Sequence, residues 1–336
     1  MYIDSNPAKP LRIMLARSVL FPILLALTTT SIFAADLLTP KPPIELPAKP
    51  GARFDFLEID TARNRLLAAH TGNASLDIID LNDGKLLKSI PAGSAQDSAI
   101  GAKQYFASVS KPPQVVIIDA DSFQLTGTIP LTGPADLITV NPANGLAYVC
   151  HDDASELWIV SPSEAKITGT LTLPSGGPEG TALDAAGKHL FQAVKSASTI
   201  ATFDLSTNKL IAAYPTAPAQ SPHGITVIPE ANALAIAGGN GKLVLMSQAD
   251  GKILSAADIP NRVDEIAYDA ANHLIYCASG LGKIGILSVE NAQLKSLGEI
   301  PGQPGCHSIA VNPHDHSVWI AYANQSGAYI QQFVKP

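Results

Sequence analysis

The chain has 336 residues, with 22 Lys and Arg against 29 Asp and Glu, and 46% of its residues are hydrophobic. The net charge of −7 argues against nucleic acid as the main partner, because binding to phosphates needs a basic surface. The hydrophobic fraction is ample for a folded core.

Residues 1–35 are expected to be a secretory signal peptide. The basic residues Lys9, Arg12 and Arg17 lead into the apolar run VLFPILLAL, and small residues follow around Ala34. That run is too short to span a membrane, and no Cys follows the cleavage region to carry a lipid anchor. We therefore expect a periplasmic or secreted protein, with no membrane span in the mature chain.

The remaining residues repeat one pattern seven times, at steps of 39 to 44 residues. A repeat of this length indicates one structural unit that must stack on its neighbours to bury its apolar faces. The recurring strands are SLDIIDL (75–81), QVVIIDA (114–120), ELWIVSP (156–162), TIATFDL (199–205), KLVLMSQ (242–248), KIGILSV (283–289) and GAYIQQF (327–333).

Each unit holds four short strands, as the third one shows with ADLITVN, LAYVCHD, ELWIVSP and ITGTLTLP. These segments are rich in β-branched and aromatic residues and are separated by turn residues. The pattern predicts an all-β, seven-bladed β-propeller of four antiparallel strands per blade, in a single domain over 36–336. The predicted blades are 53–93, 94–133, 134–176, 177–219, 220–260, 261–302, and 303–336 together with 43–48.

The last repeat stops after its third strand, because the chain ends at Pro336. The segment 43–48 resembles the fourth strands of the other blades. We expect it to pair in the last blade and so close the ring, which protects the sheet edges.

The segments LAYVCHDDASELWIVS, IYCASGLGKIGILS, GPEGTALD and SPHGITVIP resemble the YVTN-repeat family of exported bacterial and archaeal propellers. More distantly, the chain is similar to lactonases and to the heavy chain of methylamine dehydrogenase. The resemblance covers 36–336 and implies the fold and export. Since these relatives differ in chemistry, it does not choose a function.

Aligning the blades places one chemically active residue of each at the axial mouth of the ring. Every member can accept a proton or bind a cation, and in blade two the member is Gln96 or Asp97. The axial ring is Asp55, Asp97, Asp136, Glu179, His223, Asp264 and His307.

Such crowded carboxylates repel each other by about 2 kcal/mol per pair at 7 Å and an effective dielectric of 20. Either some are protonated, or solvent screens them, or a cation lies among them. Oxygen ligands suit Ca²⁺ or Mg²⁺, and histidines suit Zn²⁺ or Cu²⁺. A divalent cation would be held by members of the set Asp136, Glu179, His223, Asp264 and His307. The alternative is an acid-lined, water-filled channel.

Three further residues are candidates for a rim around this mouth. His70 and His151 align with each other at the end of the second strand, and Asp152 follows His151. A surface role is the alternative for each histidine.

Five aromatic residues align in the middle of the second strand, and Leu67 and Ala235 take the position in the other two blades. Recurrence at one mid-strand position favours packing between blades over ligand stacking. The aromatic members are Phe106, Tyr148, Phe191, Tyr276 and Trp319.

Three functions remain open. The first is a monomeric binding or scaffold protein whose top face takes a small molecule, a metal ion or a protein partner. The second is a metal-dependent hydrolase or lyase at the axial ring, acting on a lactone for example. The third is an accessory subunit of a periplasmic redox enzyme. The sequence has no Gly-x-Ser-x-Gly, His-Glu-x-x-His or P-loop motif, so binding is favoured over catalysis.

Overall fold

The structure is a computed structural model that describes residues 1–3 and 37–336. The predicted signal peptide therefore lies outside the described residues, apart from its first three. None of the described helices is both long enough and apolar enough to cross a membrane.

Residues 37–336 form a ring of seven four-stranded antiparallel sheets, so the predicted seven-bladed propeller is confirmed. Within residues 37–336, three single-turn 3-10 helices lie in loops, at Thr71–Asn73, Lys195–Ala197 and Pro229–Ala231. From the axis outwards, blade one contains β3 Leu57–Asp60, β4 Arg65–His70, β5 Ser75–Asp80 and β6 Leu86–Ile90. Blade two contains β7 Ala95–Ile100, β8 Gln104–Ser110, β9 Pro113–Asp119 and β10 Leu125–Pro130. Blade three contains β11 Ala135–Val140, β12 Ala147–His151, β13 Glu156–Ser161 and β14 Lys166–Thr172.

The remaining blades follow the same order. Blade four contains β15 Pro178–Leu183, β16 His189–Val194, β17 Thr199–Asp204 and β18 Lys209–Pro215, and blade five contains β19 Pro222–Ile228, β20 Ala233–Gly238, β21 Lys242–Ser247 and β22 Ile253–Asp258. Blade six contains β23 Val263–Asp269, β24 Leu274–Ser279, β25 Leu281–Glu290 and β26 Gln293–Pro304. Blade seven contains β27 Ser308–Val311, β28 Val318–Ala323 and β29 Ala328–Val334, with β1 Thr39–Pro40 and β2 Ile44–Leu46 outside β29.

The position of a strand within its blade explains its sequence pattern. The middle strands β12 and β13 are buried on both faces, since a neighbouring blade covers each side, and they are continuously apolar. The outer strand β14 alternates between exposed and covered residues, because its rim side meets solvent. The repeat was therefore clearest in the third strand of each blade.

The core of the protein lies between blades, not within them. Seven separate apolar clusters each join two consecutive blades, including the last and the first. The predicted packing role of the second-strand position is confirmed, since each interface takes one member. In order around the ring these are Leu67, Phe106, Tyr148, Phe191, Ala235, Tyr276 and Trp319.

The ring closes where the sequence predicted, through the N-terminal segment. Strand β2 pairs antiparallel with β29, with Ile44 opposite Ile330 and Leu46 opposite Ala328. Strand β1 adds a second short pairing, with Thr39 opposite Val334. The closing segment thus begins earlier than the predicted 43–48.

Two pairs of neighbouring inner strands, β15 with β19 and β19 with β23, approach each other so closely that only glycine fits at each contact. A Cβ added to Gly180 would lie 2.4 Å from the His223 carbonyl oxygen, and one added to Gly224 would lie 2.7 Å from that of Asp264. These glycines belong to the Pro-x-Gly segments of blades four and five. Their role is therefore to let neighbouring blades meet at the axis.

Candidate functional site at the top face of the ring

We call the face at which the inner strands begin the top face. Strand pairing gives an alignment of the blades that is independent of sequence similarity. Counting from the second-strand packing position, Asp55, Asp136, Glu179, His223, Asp264 and His307 occupy one equivalent place on their inner strands.

In blade two, the residue at the ring position is not the predicted Asp97. Ala99 pairs with Phe106, the packing position, and Ala95 pairs with Val109. Gln96 is therefore the equivalent of Asp136, and Asp97 lies one residue further into the channel. The assignment of Asp97 to the axial ring is wrong by one residue, because the pairing of Ala99 with Phe106 places Gln96 at the ring position.

The top face contains a cavity of about 700 Å³, which we call the axial cavity. Its residues come from the loops and inner strands of blades four to seven and from the segment before β3. The lining is Arg53, Lys195, Gln220, Ser221, His223, Gly239, Asn240, Arg262, Val263, Asp264, Gly280, Gly305 and His307. Three members of the axial ring, His223, Asp264 and His307, thus line this cavity.

Protein cations already neutralise several carboxylates of the ring. Lys195 Nζ lies 2.8 Å from Glu179 Oε1, and His307 Nδ1 lies 3.1 Å from Asp264 Oδ2. Arg53 Nη1 lies 3.7 Å from Asp55 Oδ2. The repulsion that the sequence implies is therefore met in part by internal ion pairs.

Protonation relieves a further part of that repulsion. Burial raises the pKa of Asp55 to about 7, against the attraction of Arg53 and His307. Burial, followed by the nearby Asp55 and Glu179, raises the pKa of Asp136 well above its usual range. Burial also raises the pKa of Glu179, although His223 and Lys195 oppose it.

Asp264 and His307 form the charged pair of the ring. Burial acts to raise the pKa of Asp264, but His307, whose Nδ1 lies 3.1 Å from Asp264 Oδ2, outweighs it and lowers that pKa. Burial likewise acts to lower the pKa of His307, and Asp264 outweighs it, so the pKa of His307 is raised. Each partner favours the charged form of the other.

Three of the five predicted metal ligands come together. One ligand atom each from Glu179, His223 and Asp264 lies within 4.8 Å of the others. His223 Nδ1 binds the Ser221 carbonyl oxygen at 2.7 Å, which leaves Nε2 on the side of Glu179, at 3.9 Å from its Oε1. These three residues offer two carboxylates and an imidazole as metal ligands. However, Lys195 already forms an ion pair with Glu179.

The rim prediction for His70 is wrong, because this side chain is fully buried. Its Nδ1 lies 2.7 Å from Asp77 Oδ2 and its Nε2 lies 3.1 Å from the Ala52 carbonyl oxygen. The ring also stacks on Phe54 at 3.9 Å. His70 therefore holds the segment before β3 against blade one.

His151 and Asp152 lie near the top face but outside the lining of the axial cavity. His151 is held between Asp153 at 3.0 Å and Glu156 at 3.2 Å, and it stacks on Trp158. Asp152 is exposed. Its charge contributes to the raised pKa of Asp136.

Below the ring lies a second set of carboxyl groups, Glu58, Asp97 and Glu265, which we call the lower acidic layer. They line a space of about 180 Å³ within the channel. Asp97 Oδ2 accepts the Ile138 amide at 3.0 Å, and Glu265 Oε2 accepts the Ile309 amide at 2.7 Å. Each of these bonds joins an inner strand to the next blade.

Burial is the main cause of raised pKa values in this layer. Desolvation within the channel raises the pKa of Glu58 to about 7, although its side chain is in contact with solvent. Burial raises the pKa values of Asp97 and Glu265 well above their usual range. Glu58 and Glu265 were not among the residues predicted from the sequence. Glu265 directly follows the ring residue Asp264, so the blade alignment contained its signal.

Comparison with known proteins defines the fold but no family. No protein-family model matches the sequence. No curated protein matches it either.

Solved structures match over most of the chain. Hydrazine synthase of Kuenenia stuttgartiensis matches with a TM-score of 0.72 and 11% identity, covering 85% of this chain and 96% of that one. The WD40 repeats of RRP9 match with a TM-score of 0.73 and 12% identity, covering 89% and 100%. A chain of the mitotic checkpoint complex matches with a TM-score of 0.76 and 13% identity, covering 96% and 99%. At these identities the likeness shows a shared propeller fold alone.

Proposed function

We propose that this chain is an exported propeller of the YVTN-repeat kind that binds a small polar ligand in the axial cavity. The observation that carries the proposal is the convergence of polar side chains from several blades on one space of about 700 Å³. Small-molecule sites commonly occupy about 300–1,000 Å³ and use a few converging polar groups. Seven packed interfaces hold these groups in fixed positions, which lowers the entropic cost of binding.

A protein partner at the same face is compatible with this role. Propellers with WD40 repeats, and a propeller chain of the mitotic checkpoint complex, share the architecture. At 12–13% identity, they support a scaffold function by fold alone. The likeness to hydrazine synthase supports the accessory-subunit hypothesis in the same limited way.

The test uses a residue whose enlargement fills the cavity without strain. An added Cβ at Gly280 would have its nearest neighbour at 3.9 Å, the Arg262 carbonyl oxygen. We expect Gly280→Phe to fold normally and to lose binding. Gly127→Phe is the matched control, because Gly127 lies on the outer strand β10 and an added Cβ there would be 3.6 Å from Ile117.

Binding would be measured by calorimetry and thermal shift with a panel of small anions, cations, sugars and divalent metal ions. The proposal expects at least one compound to bind the native protein and the Gly127→Phe variant, but not Gly280→Phe. If no compound binds, or if Gly280→Phe binds as well as the native protein, the axial cavity is not the ligand site.

A divalent-cation site is the second candidate function, favoured by the Glu179, His223 and Asp264 cluster. It would support the alternative of a metal-dependent hydrolase or lyase, with the ion activating water. Lys195 Nζ is paired with Glu179 Oε1, and the charge of this ammonium group opposes a cation beside it.

We therefore expect Lys195→Gln to strengthen binding of Zn²⁺ or Ca²⁺ if the site is real, and the combined change Asp136→Asn, Glu179→Gln and Asp264→Asn to abolish it. Metal analysis of the purified protein and calorimetry with Ca²⁺, Mg²⁺, Zn²⁺ and Cu²⁺ measure this. If the native protein and Lys195→Gln both bind these ions only at millimolar concentration or more weakly, and no ion copurifies, the axial ring is only a channel lining and not a cation site.

A further inference from the structure

The lining of the axial cavity is cationic, although the protein as a whole is acidic. Arg53, Lys195 and Arg262 lie in the lining, and Asp264 is the only carboxylate among its residues. A chain with seven more acidic than basic residues would not place three cations around one carboxylate by composition alone. The chemistry of this wall therefore points to the charge of its ligand.

Two of these cations occupy equivalent positions in the fold. Arg53 and Arg262 each lie two residues before a ring carboxylate, Asp55 and Asp264. The carbonyl group of each accepts an amide from the loop after the second strand of its blade, from Gly72 at 2.9 Å and from Gly280 at 3.1 Å. These hydrogen bonds hold the backbone at Arg53 and Arg262 in place.

The two arginines belong to blades six and one, on either side of blade seven. The equivalent position in blade seven is Gly305, which also lines the cavity and carries no side chain. An added Cβ there would have a single neighbour within 4 Å, at 3.8 Å. The space between the arginines is therefore open at the blade that separates them.

Charge compensation leaves one of the cations free. Arg53 faces Asp55, Lys195 faces Glu179 and His307 faces Asp264, at 3.7, 2.8 and 3.1 Å. Within residues 37–336, Arg262 forms no ion pair and its side chain makes no hydrogen bond within the protein. A guanidinium group presents a planar pair of donors that matches a carboxylate or phosphate.

We propose that the axial cavity binds a small oxyanion, a carboxylate or phosphate group, with Arg262 as its main contact and Arg53 and Lys195 beside it. The inference deepens the proposed function and rests on it. Gln220 and Ser221 line the same space and supply neutral donors. The Asn240 amide is already engaged, with the Pro218 carbonyl and the Gln220 amide, each at 3.0 Å, so it shapes the wall.

The experiment titrates the full chain with inorganic phosphate and with succinate, at constant ionic strength, and compares glucose and putrescine as neutral and cationic probes. Loss of a charge-assisted contact reduces affinity by about tenfold or more. We expect this loss for Arg262→Gln with whichever anion binds. Lys242→Gln is the matched control, because Lys242 pairs with Asp258 on the outer strands of blade five, and it should change affinity less than about twofold.

The outcomes separate this inference from the proposed function. Preference for phosphate or for succinate identifies the class of anion. Binding of glucose or putrescine that Gly280→Phe abolishes, without binding of either anion, would refute the oxyanion and leave the cavity as the ligand site. Anion binding that Arg262→Gln does not weaken would also refute the assignment. If no probe binds the native protein, or if every probe that binds does so equally well to Gly280→Phe, both proposals fail.

Discussion

At the scale of single residues, Asp55 joins the site to the structure of the ring. Its amide donates to the Ala69 carbonyl at 2.8 Å, its own carbonyl accepts the Ser308 hydroxyl of blade seven, and its carboxyl group faces Arg53. Burial outweighs that guanidinium and raises the pKa of Asp55 from 3.8 to about 7. The protonated form is therefore favoured in the folded protein at mildly acid pH.

This shift predicts that stability falls as the pH rises. Below about pH 4 the carboxyl group is protonated in both states, and between pH 4 and 7 the unfolded chain releases a proton that the folded protein retains. The stabilisation is thus fully present below the unfolded pKa and is lost as the pH rises through the folded pKa. Asp136 and Glu265, whose pKa values are raised in the same direction, add to the trend.

We expect Asp55→Asn to match the native protein near pH 4 and to exceed its free energy of unfolding at pH 8, on the order of a few kcal/mol. Urea unfolding across pH 4–8 measures the difference. Glu290→Gln, at the exposed end of β25, is the control and should follow the native curve. A native-like slope in Asp55→Asn would show that this carboxyl group does not retain its proton.

At the scale of structural elements, the inner strands determine how closely the blades meet. Gly180 and Gly224 allow contact of one blade with the backbone of the next, and the carboxyl groups of Asp97 and Glu265 bind amides of the next blade. The axis is therefore held by backbone contact and polar bridges, and the apolar clusters lie further out.

The glycine contacts predict a steep cost for one added methyl group. Gly224→Ala should lower the free energy of unfolding by about 1–3 kcal/mol, because its Cβ would meet the Asp264 carbonyl oxygen at 2.7 Å and one inner strand must shift. Gly127→Ala, with an ordinary 3.6 Å contact, is the control. Equal melting temperatures for the two variants would contradict the close approach.

The closing strand makes a similar prediction at the seam of the ring. Leu46 is 2% exposed and packs in the cluster between blades seven and one. Leu46→Ala should cost about 2–4 kcal/mol, whereas Leu87→Ala, at a position 40% exposed on β6, should cost far less. Deleting residues 36–50 should lower the melting temperature further, since it exposes the edge of β29. An unchanged melting temperature in the deletion would disprove closure by this segment.

At the scale of the whole molecule, the repeat made the architecture predictable. Each blade must bury both faces against its neighbours, so the apolar third strands recur in sequence, and the truncated last repeat predicted the closing segment. The alignment also located six of the seven ring positions. It failed in blade two, where only the pairing of Ala99 with Phe106 distinguishes Gln96 from Asp97.

The rest of the site follows from three-dimensional contacts that repetition does not encode. His70 looked like His151 in the alignment, but Asp77 and Phe54 bury it in blade one. Lys195 belongs to a single-turn 3-10 helix, and its pairing with Glu179 depends on the path of that loop. Arg53 and Arg262 lie two residues before the ring in the sequence, but only acids and histidines are typical ligands of a cation site.

Export also concerns the whole molecule, and it stays a prediction. We expect cleavage near Ala34, because an apolar run and small residues follow a basic start. Expression in a bacterial host followed by mass spectrometry of the extracytoplasmic fraction should give a chain that begins close to residue 36. A recovered protein that retains residues 1–30 would disprove the assignment.

The pairing of Ile44 with Ile330 separates the order of synthesis from the order of assembly. Strand β2 is synthesised among the first segments of the chain, whereas its partner β29 is among the last. Until the two strands pair, β2 has no partner and β29 has a free edge. Closing so long a loop costs entropy that local hairpins do not pay. Blades one to six can stack as the chain lengthens, because their pairings are local, whereas blade seven is completed only when synthesis is nearly finished. A ribosome stalled before residue 328 would therefore carry an open arc, with its first strand still unpaired.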